Sequence, residues 1–320
     1  MRTLPSPFRL GVQIFIVALV FLSGTVIAAQ ETRASPDADK AQHDQAQLEE
    51  RPLPDISTLM QQVQANLKGA EAARRNYIYH SVETLQELDG SGAVKKSTVN
   101  AYDVFWLNGV RVVKLEKKNG KDLTPDEQKK ESERIDKDVA KARERKDKAD
   151  AKGKQTDPDG HELVTAARIL ELGAFSNARR VKLNDRDTIV IDYSGNPKAK
   201  TKNREEQVFR DLVGTVWVDE QDHVIRKVEG HFQSAFKMGA GLLVNVKKDT
   251  SFGFEQRKIN GEVWLPERIQ AQGGFHYLLF AGFNGSLSVQ MSDYRKFKAT
   301  ATILPGLNKV EDGAKTPDPQ

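Results

Sequence analysis

The stretch "GTVWVDEQDHVIRKVEGHF" (residues 214–232) sets two aspartates and two histidines around one short turn. It reads either as the rim of a metal or catalytic site or as the tip of a β-hairpin. Asp219 and Asp222 bracket the turn, a position where short acids bond their own backbone. His223 and His231 fall with Lys227 and Glu229 on one face, opposite Val224, Val228 and Phe232. Eight residues of strand separate the two histidines by about 26 Å, too far to share a metal unless a partner strand adds ligands. The hairpin reading follows, and the apolar face becomes the informative one.

The same period of two continues through the C-terminal half. Phe236 extends the first apolar face. Leu242, Val244, Val246, Phe252 and Phe254 share a second, and Tyr277, Leu279, Phe283, Leu287, Val289 and Met291 a third. The opposite faces carry residues such as Lys247, Asp249, Glu255, Asn284 and Gln290. This is the pattern of long antiparallel strands with one apolar and one wet face. Upstream, "NYIYHSVETLQEL" leads through "DGSG" to "STVNAYDVFWL", and the Asn-Gly at 108–109 joins that strand to "VRVVKLEKK", a strong hairpin cue. A sheet with one apolar face must curl or be covered. The few helices in view cover only part of it. An α+β fold is therefore expected: a strongly curved antiparallel β-sheet, an incomplete barrel around an apolar concavity.

Three helices are expected. "PDISTLMQQVQANLKGAEAARRN" offers Asp55 or Ser57 as a cap and Leu59, Met60, Val63 and Leu67 at helical spacing. "LTPDEQ" opens a second with Thr124 as cap, Pro125 next and Glu127 as capping-box partner. It begins a highly charged insertion, residues 121–154, in which Asp126 with Lys130, Glu133 with Lys137 and Glu144 with Lys148 stand at pairing distance along a helix. Only Ile135 and Val139 make an apolar edge, so the insertion reads as an exposed surface helix, with a movable flap over the concavity as the sharper alternative. "HELVTAARILEL", after the turn "DPDG", suggests a third helix over 161–173, and 195–206 reads as a polar linker.

The N-terminus supplies the compartment. Arg2 and Arg9 precede an apolar run from Leu10 to Ile27 that closes on "VIAAQ", the three-part pattern of a signal peptide over 1–29. An uncleaved inner-membrane anchor is the alternative, although Gln13, Ser23, Gly24 and Thr25 interrupt the run. Residues 30–54 and 305–320 are poor in large apolar side chains and read as a disordered leader and tail around a single domain, 55–304. An exported chain with no cysteine points to a bacterial periplasm. The net charge is +4 with acids and bases interspersed, and no basic-aromatic motif appears, which argues against nucleic acid as a partner.

Catalytic and metal motifs are absent on inspection. "HELVT" lacks the second histidine of a zincin helix. "DPDGHE" lacks the remaining ligands of a calcium loop, and "MGAGLL" lies between strands with no helix to aim at a phosphate. No nucleophile elbow or framed carboxylate pair appears, so the expectation is a non-enzyme with no cofactor and no metal. What remains are the aromatics: Trp217, Phe232, Phe236, Phe252, Phe254, Trp264, Tyr277 and Phe283 are either core or the lining of a cavity for an apolar ligand.

With those strands and turns in view, "GTVWVDEQDHVIRKVEGHF", "KMGAGLL", "SFGFEQRKINGEVWLPERI" and "SDYRKF" resemble the LolA-like family of outer-membrane lipoprotein-sorting proteins, over roughly residues 55–300. The resemblance implies an incomplete β-barrel closed by a helical lid, holding acyl chains of lipoproteins or other lipids in the periplasm. It implies a carrier rather than an enzyme. The alternative of a different class is an envelope sensor or interaction module that uses the sheet as scaffold and helix 124–152 to meet a partner protein.

Overall fold

The computed structural model describes residues 51–107, 109–153, 164–202, 204–238, 244–277 and 281–297. The apolar leader, residues 30–50, the tail and the segments 154–163 and 239–243 lie outside the described residues. Helix α1 (Ile56–Arg74) leads into β1 (Tyr77–Leu88), β2 (Val94–Leu107), β3 (Val110–Lys118) and the short β4 (Lys121–Asp122). The charged helix α2 (Pro125–Asp150) and the short α3 (Ala166–Leu172) follow. Then come β5 (Gly173–Leu183), β6 (Arg186–Gly195), helix α4 (Arg204–Arg210), β7 (Leu212–Asp219) and β8 (Val224–Phe232). The chain ends with β9 (Phe236–Met238), β10 (Val244–Val246), β11 (Ser251–Ile259), β12 (Val263–Tyr277) and β13 (Ala281–Lys296).

All strands join one antiparallel sheet in the order β4-β3-β2-β1-β13-β12-β11-β8-β7-β6-β5, with β9 and β10 attached beside β12. The first and last strands of that order do not meet, so the curved sheet is an incomplete barrel, as expected from the sequence. The strand β1 sits between β2 and β13, so the ends of the chain close the middle of the sheet.

Alternation sorts the two faces. Ile189 and Ile191 of β6, Val216 and Val218 of β7, and Leu287 and Val289 of β13 all point into one core. Leu59, Met60 and Val63 of α1 and Ile169 and Leu172 of α3 close over that inner face, and α1 packs chiefly over β8 and β12. Asp55 caps α1 by accepting from the Thr58 amide at 2.8 Å. Side chains then hold the helix in place. Arg74 donates to the Trp264 carbonyl at 3.0 Å and to Gln256 Oε1 at 2.9 Å. Asn66 donates to the Asp222 carbonyl at 3.0 Å.

Helix α2 stands on the opposite face. Its capping box is formed as read, Thr124 with Glu127. Ile135 and Val139, joined by Ala142, pack on Val110 and Val112 of β3 and on Phe105 and Leu107 of β2. These residues alternate with Val104 and Val113, which belong to the inner core, so α2 covers the outer face and is not a flap over the concavity. It also closes an edge. Before Lys117 the strand β3 has no neighbour on its far side among the described residues, and Glu131 Oε1 accepts the Leu115 amide at 2.7 Å while Arg134 donates to the Val113 carbonyl at 2.6 Å. Covering an open strand with a charged element blocks edge-to-edge pairing. Of the three expected ion pairs only Glu144–Lys148, at 2.5 Å, forms among the described residues. Arg134 instead bridges Glu131 and Asp138.

Three local expectations change. The third helix begins at Ala166 with Thr165 as cap, Arg168 N donating to its hydroxyl at 3.2 Å, and residues 161–163 of the expected span lie outside the described residues. The linker expected over 195–206 is irregular from 196 to 202, but its end belongs to α4, whose Val208 and Phe209 are buried and whose Glu206 accepts both arms of Arg168 on α3 at 3.0 and 2.9 Å. In β8 a bulge opposite Trp217 and Val218 shifts the alternation, so Ile225 rather than Val224 enters the core. His223 therefore sits in the turn with φ of 48°, not on a strand face with His231.

Candidate ligand-binding face

The aromatic residues singled out in the sequence divide into three groups. Phe232, Phe252 and Phe254 lie in the inner core at 2, 3 and 5 % exposure. The rings of Phe232 and Phe252 tilt together with centroids 5.0 Å apart. The register continues this row: Phe236 pairs with Val246, Val246 with Phe275, and Phe275 with Phe283, while Tyr277 pairs with Val244. The side chains of Phe236, Tyr277 and Phe283 fall outside the described residues.

The two tryptophans are elsewhere. Trp217 alternates with Val216 and Val218 and so faces outward, with Lys227 Nζ 4.7 Å from its ring centroid. Trp264 is buried under two guanidinium groups, Arg226 at 5.4 Å and Arg186 at 5.7 Å. Its indole N–H donates to Asp222 Oδ2 at 2.8 Å.

That bond turns the 219–223 hairpin into the corner of a polar cluster. Asp219 is fully buried and accepts Arg186 at 2.5 and 2.6 Å, while it also accepts the Asp222 amide at 2.9 Å. Burial alone pushes the Asp222 carboxyl up, but Lys258, Trp264 and Arg186 together hold it below its ordinary value. The Asp219 hydrogen bond, against the effect of burial, raises Arg186 further above its usual range. The short acids bond their own backbone as the turn chemistry requires, but Asp219 does so out of water. The signal for this was faint: Arg186 and Arg226 occupy "NDRDT" and "HVIRKV" with nothing local to mark them as partners.

The inner face also carries polar groups that the sequence reading passed over. On β13, β1 and β2 it runs in three rows: Met291, Ser81 and Tyr102; Val289, Glu83 and Asn100; Leu287, Leu85 and Thr98. Met291, Val289 and Leu287 are apolar and buried, and so are the polar Ser81 and Glu83 beside them. Glu83 accepts from the Tyr102 hydroxyl at 3.1 Å and from Asn100 Nδ2 at 3.4 Å. An apolar floor with a few convergent polar groups is the usual make-up of a small-molecule site. The clue was available, since Glu83 shares the parity of Tyr77 and Tyr79 in "YIYHSVE".

No helix among the described residues is long and apolar enough to cross a membrane, and no group of three metal-ligating side chains occurs among them. No family model matches the chain, and no curated protein matches it. Among solved structures the chain is similar to a domain from Vibrio parahaemolyticus assigned to outer membrane lipoprotein sorting, at 10% identity and a TM-score of 0.35, covering 77% of this chain and 95% of that one. It is also similar to a LolA superfamily protein from Nitrosomonas europaea, at 12% identity and a TM-score of 0.29, covering 74% and 93%. A DUF1329 family protein from Desulfovibrio piger follows at 7% identity and a TM-score of 0.30, covering 78% and 96%. With scores this low, the architecture of the chain rests on its own strand order and register.

Proposed function

We propose that this is a non-enzymatic binding protein for apolar ligands, lipids or lipoprotein acyl chains, which it takes up on the inner face of the sheet and carries within the periplasm. Residues 1–29 serve as its signal peptide and 55–304 as its single folded unit. The observation that supports the reading is the extent of the inner apolar face relative to its cover. Helix α1 packs chiefly over β8 and β12, whereas the apolar rows continue through β13 to Leu85 on β1 and Val113 on β3. An acyl chain on that surface gains about 0.8 kcal/mol per buried methylene, so a modest length of chain suffices for useful affinity. The Glu83, Tyr102 and Asn100 group gives the ligand's polar end something to orient against. Phe232, Phe252 and Phe254 form a wall of the inner core, and Phe236, Tyr277 and Phe283 are proposed as ligand-contacting residues from their place in the adjoining register rows.

Native mass spectrometry of the exported protein, followed by organic extraction, tests this. Co-purified lipid bound in a defined stoichiometry supports it. An apo protein that also takes up no added fatty acid or phospholipid refutes it.

A further inference from the structure

In the three inner-face rows of β13, β1 and β2, Glu83 is the only acidic or basic residue. The alternation of β1 places it between Ser81 and Leu85 on that face, where an apolar side chain would have extended the floor. Burying a carboxyl group among apolar side chains is unfavourable unless hydrogen bonds compensate. Here the Tyr102 hydroxyl and Asn100 Nδ2 both donate to the same oxygen, Oε1, at 3.1 and 3.4 Å. The side chain is thus presented as an acceptor. Its place along the strand matters as well. Ser81, Glu83 and Tyr102 are buried, whereas Leu85, Thr98 and Asn100 are half-buried. The floor passes from closed to open within these rows, and Glu83 stands at the boundary. On the closed side, Tyr79 and Val104 carry the same two strands into the core that α1 shares. A chain lying along the floor toward Tyr79 leaves its polar end beside Glu83.

We infer, on the reading that the inner face takes up apolar ligands, that Glu83 selects among them by their polar end. The preferred class carries an uncharged hydrogen-bond donor at the acyl chain, the hydroxyl of an acylglycerol or an amide N–H, and the disfavoured class ends in a free carboxylate. A carboxylate has about four acceptor sites, so Glu83 can take a donor from a ligand beside those it already accepts. Hydrogen bonds with one ionised partner are roughly twice as strong as neutral ones. A site that hydrogen-bonds a ligand hydroxyl also discriminates well against an analogue lacking it. A fatty-acid carboxylate brought to the same place sets like charges side by side where water is scarce, and the repulsion is stronger there than in solvent. A Glu83 that only stitched β1 to β2 through Tyr102 would leave the choice of ligand untouched.

The test is displacement of a fluorescent fatty acid from the exported, delipidated protein by three ligands of one chain length. Monopalmitoylglycerol carries donors, methyl palmitate is uncharged without a donor, and palmitate carries the carboxylate. The probe belongs to the disfavoured class and is readily displaced. Monopalmitoylglycerol should displace it at a concentration about tenfold below methyl palmitate, the gain of one hydrogen bond to a charged group, with palmitate weakest of the three. Methyl palmitate separates recognition of a donor from repulsion of a charge. Glu83→Gln keeps the size of the side chain and an acceptor for Tyr102 and Asn100, and in it the three ligands should come within about threefold of one another. The series on the native protein needs no variant, so its ranking decides even where circular dichroism shows Glu83→Gln to be unfolded. Equal displacement by the three ligands, palmitate as the strongest, or the native ranking kept in a folded Glu83→Gln each overturns the selectivity and leaves the inner-face reading standing. Absence of probe binding to the native protein overturns both.

Discussion

The Trp264 indole nitrogen and the Asp222 carboxylate meet at 2.8 Å, tying β12 to the turn that joins β7 and β8. Those elements are not neighbours in the sheet order, since β11 lies between them. Trp264→Phe keeps the ring over Arg226 and removes the donor. A hydrogen bond to a charged group contributes about 1.5–3 kcal/mol, so urea unfolding should show a loss of that size.

The same carboxylate sets an acid limb. Its folded pKa is below the unfolded one, so its bonds stabilise the fold fully above about pH 4 and the contribution disappears as pH falls through the folded value. Melting temperatures measured from pH 6 down to pH 3 should fall less steeply in Asp222→Asn than in the native protein, with Asp222→Asn already lower at pH 6. Parallel curves would remove Asp222 from the acid transition.

Arg134 is the pin of the outer helix. Replacing it with Met leaves Glu131, 7% exposed, without its cation and frees the Val113 carbonyl. Breaking a buried pair in this way costs about 3–5 kcal/mol. Hydrogen exchange should quicken at the Leu115 amide and through α2 before it quickens in β7 or β8. Uniform exchange would mean that α2 and the sheet open together.

Sequence periodicity carried the sheet well, because alternation and turn chemistry are local. It carried the interior of β8 less well: a bulge adds one residue, and nothing in "DHVIRKV" announces it. The short helix α4 was missed for a related reason. Seven residues give only Val208 and Phe209 as adjacent apolar positions, too few to show a period. Helix α2 was read correctly at its cap, but of its three expected ion pairs only Glu144–Lys148 forms among the described residues, and which face it covers depends on Phe105 and Leu107 being opposite to Val104, a tertiary fact. Trp217 and Trp264 were grouped with the phenylalanines by residue type alone, and the pleat and the arginines separate them.

The division predicts unequal effects. Phe252→Ala removes a ring from the core and should cost about 3–5 kcal/mol. Trp217→Ala on the outer face should cost about 1 kcal/mol, roughly one cation–π contact. Similar losses from thermal or urea unfolding would contradict the face assignment.

Two glycines bring β7 and β8 together on the inner face. A Cβ on Gly214 would lie 2.1 Å from the Glu229 carbonyl oxygen, and one on Gly230 would lie 2.7 Å from that of Val213. Gly214→Val should therefore prevent recovery of soluble, folded protein, whereas Gly90→Ala, with nothing within 4 Å, should be recovered normally.

The central claim is that the inner face takes up apolar ligand, and Leu85 offers the most direct probe, being half-buried on β1 between Leu287 and Thr98. The measurement is a titration of the exported, delipidated protein with a fluorescent fatty acid, beside Leu85→Glu and the outer-face control Trp217→Ala, with circular dichroism on each. Saturable binding by the native protein and by Trp217→Ala, weakened at least tenfold in a folded Leu85→Glu, is the predicted result. No saturable binding by the native protein, or equal affinity in Leu85→Glu, would contradict the account.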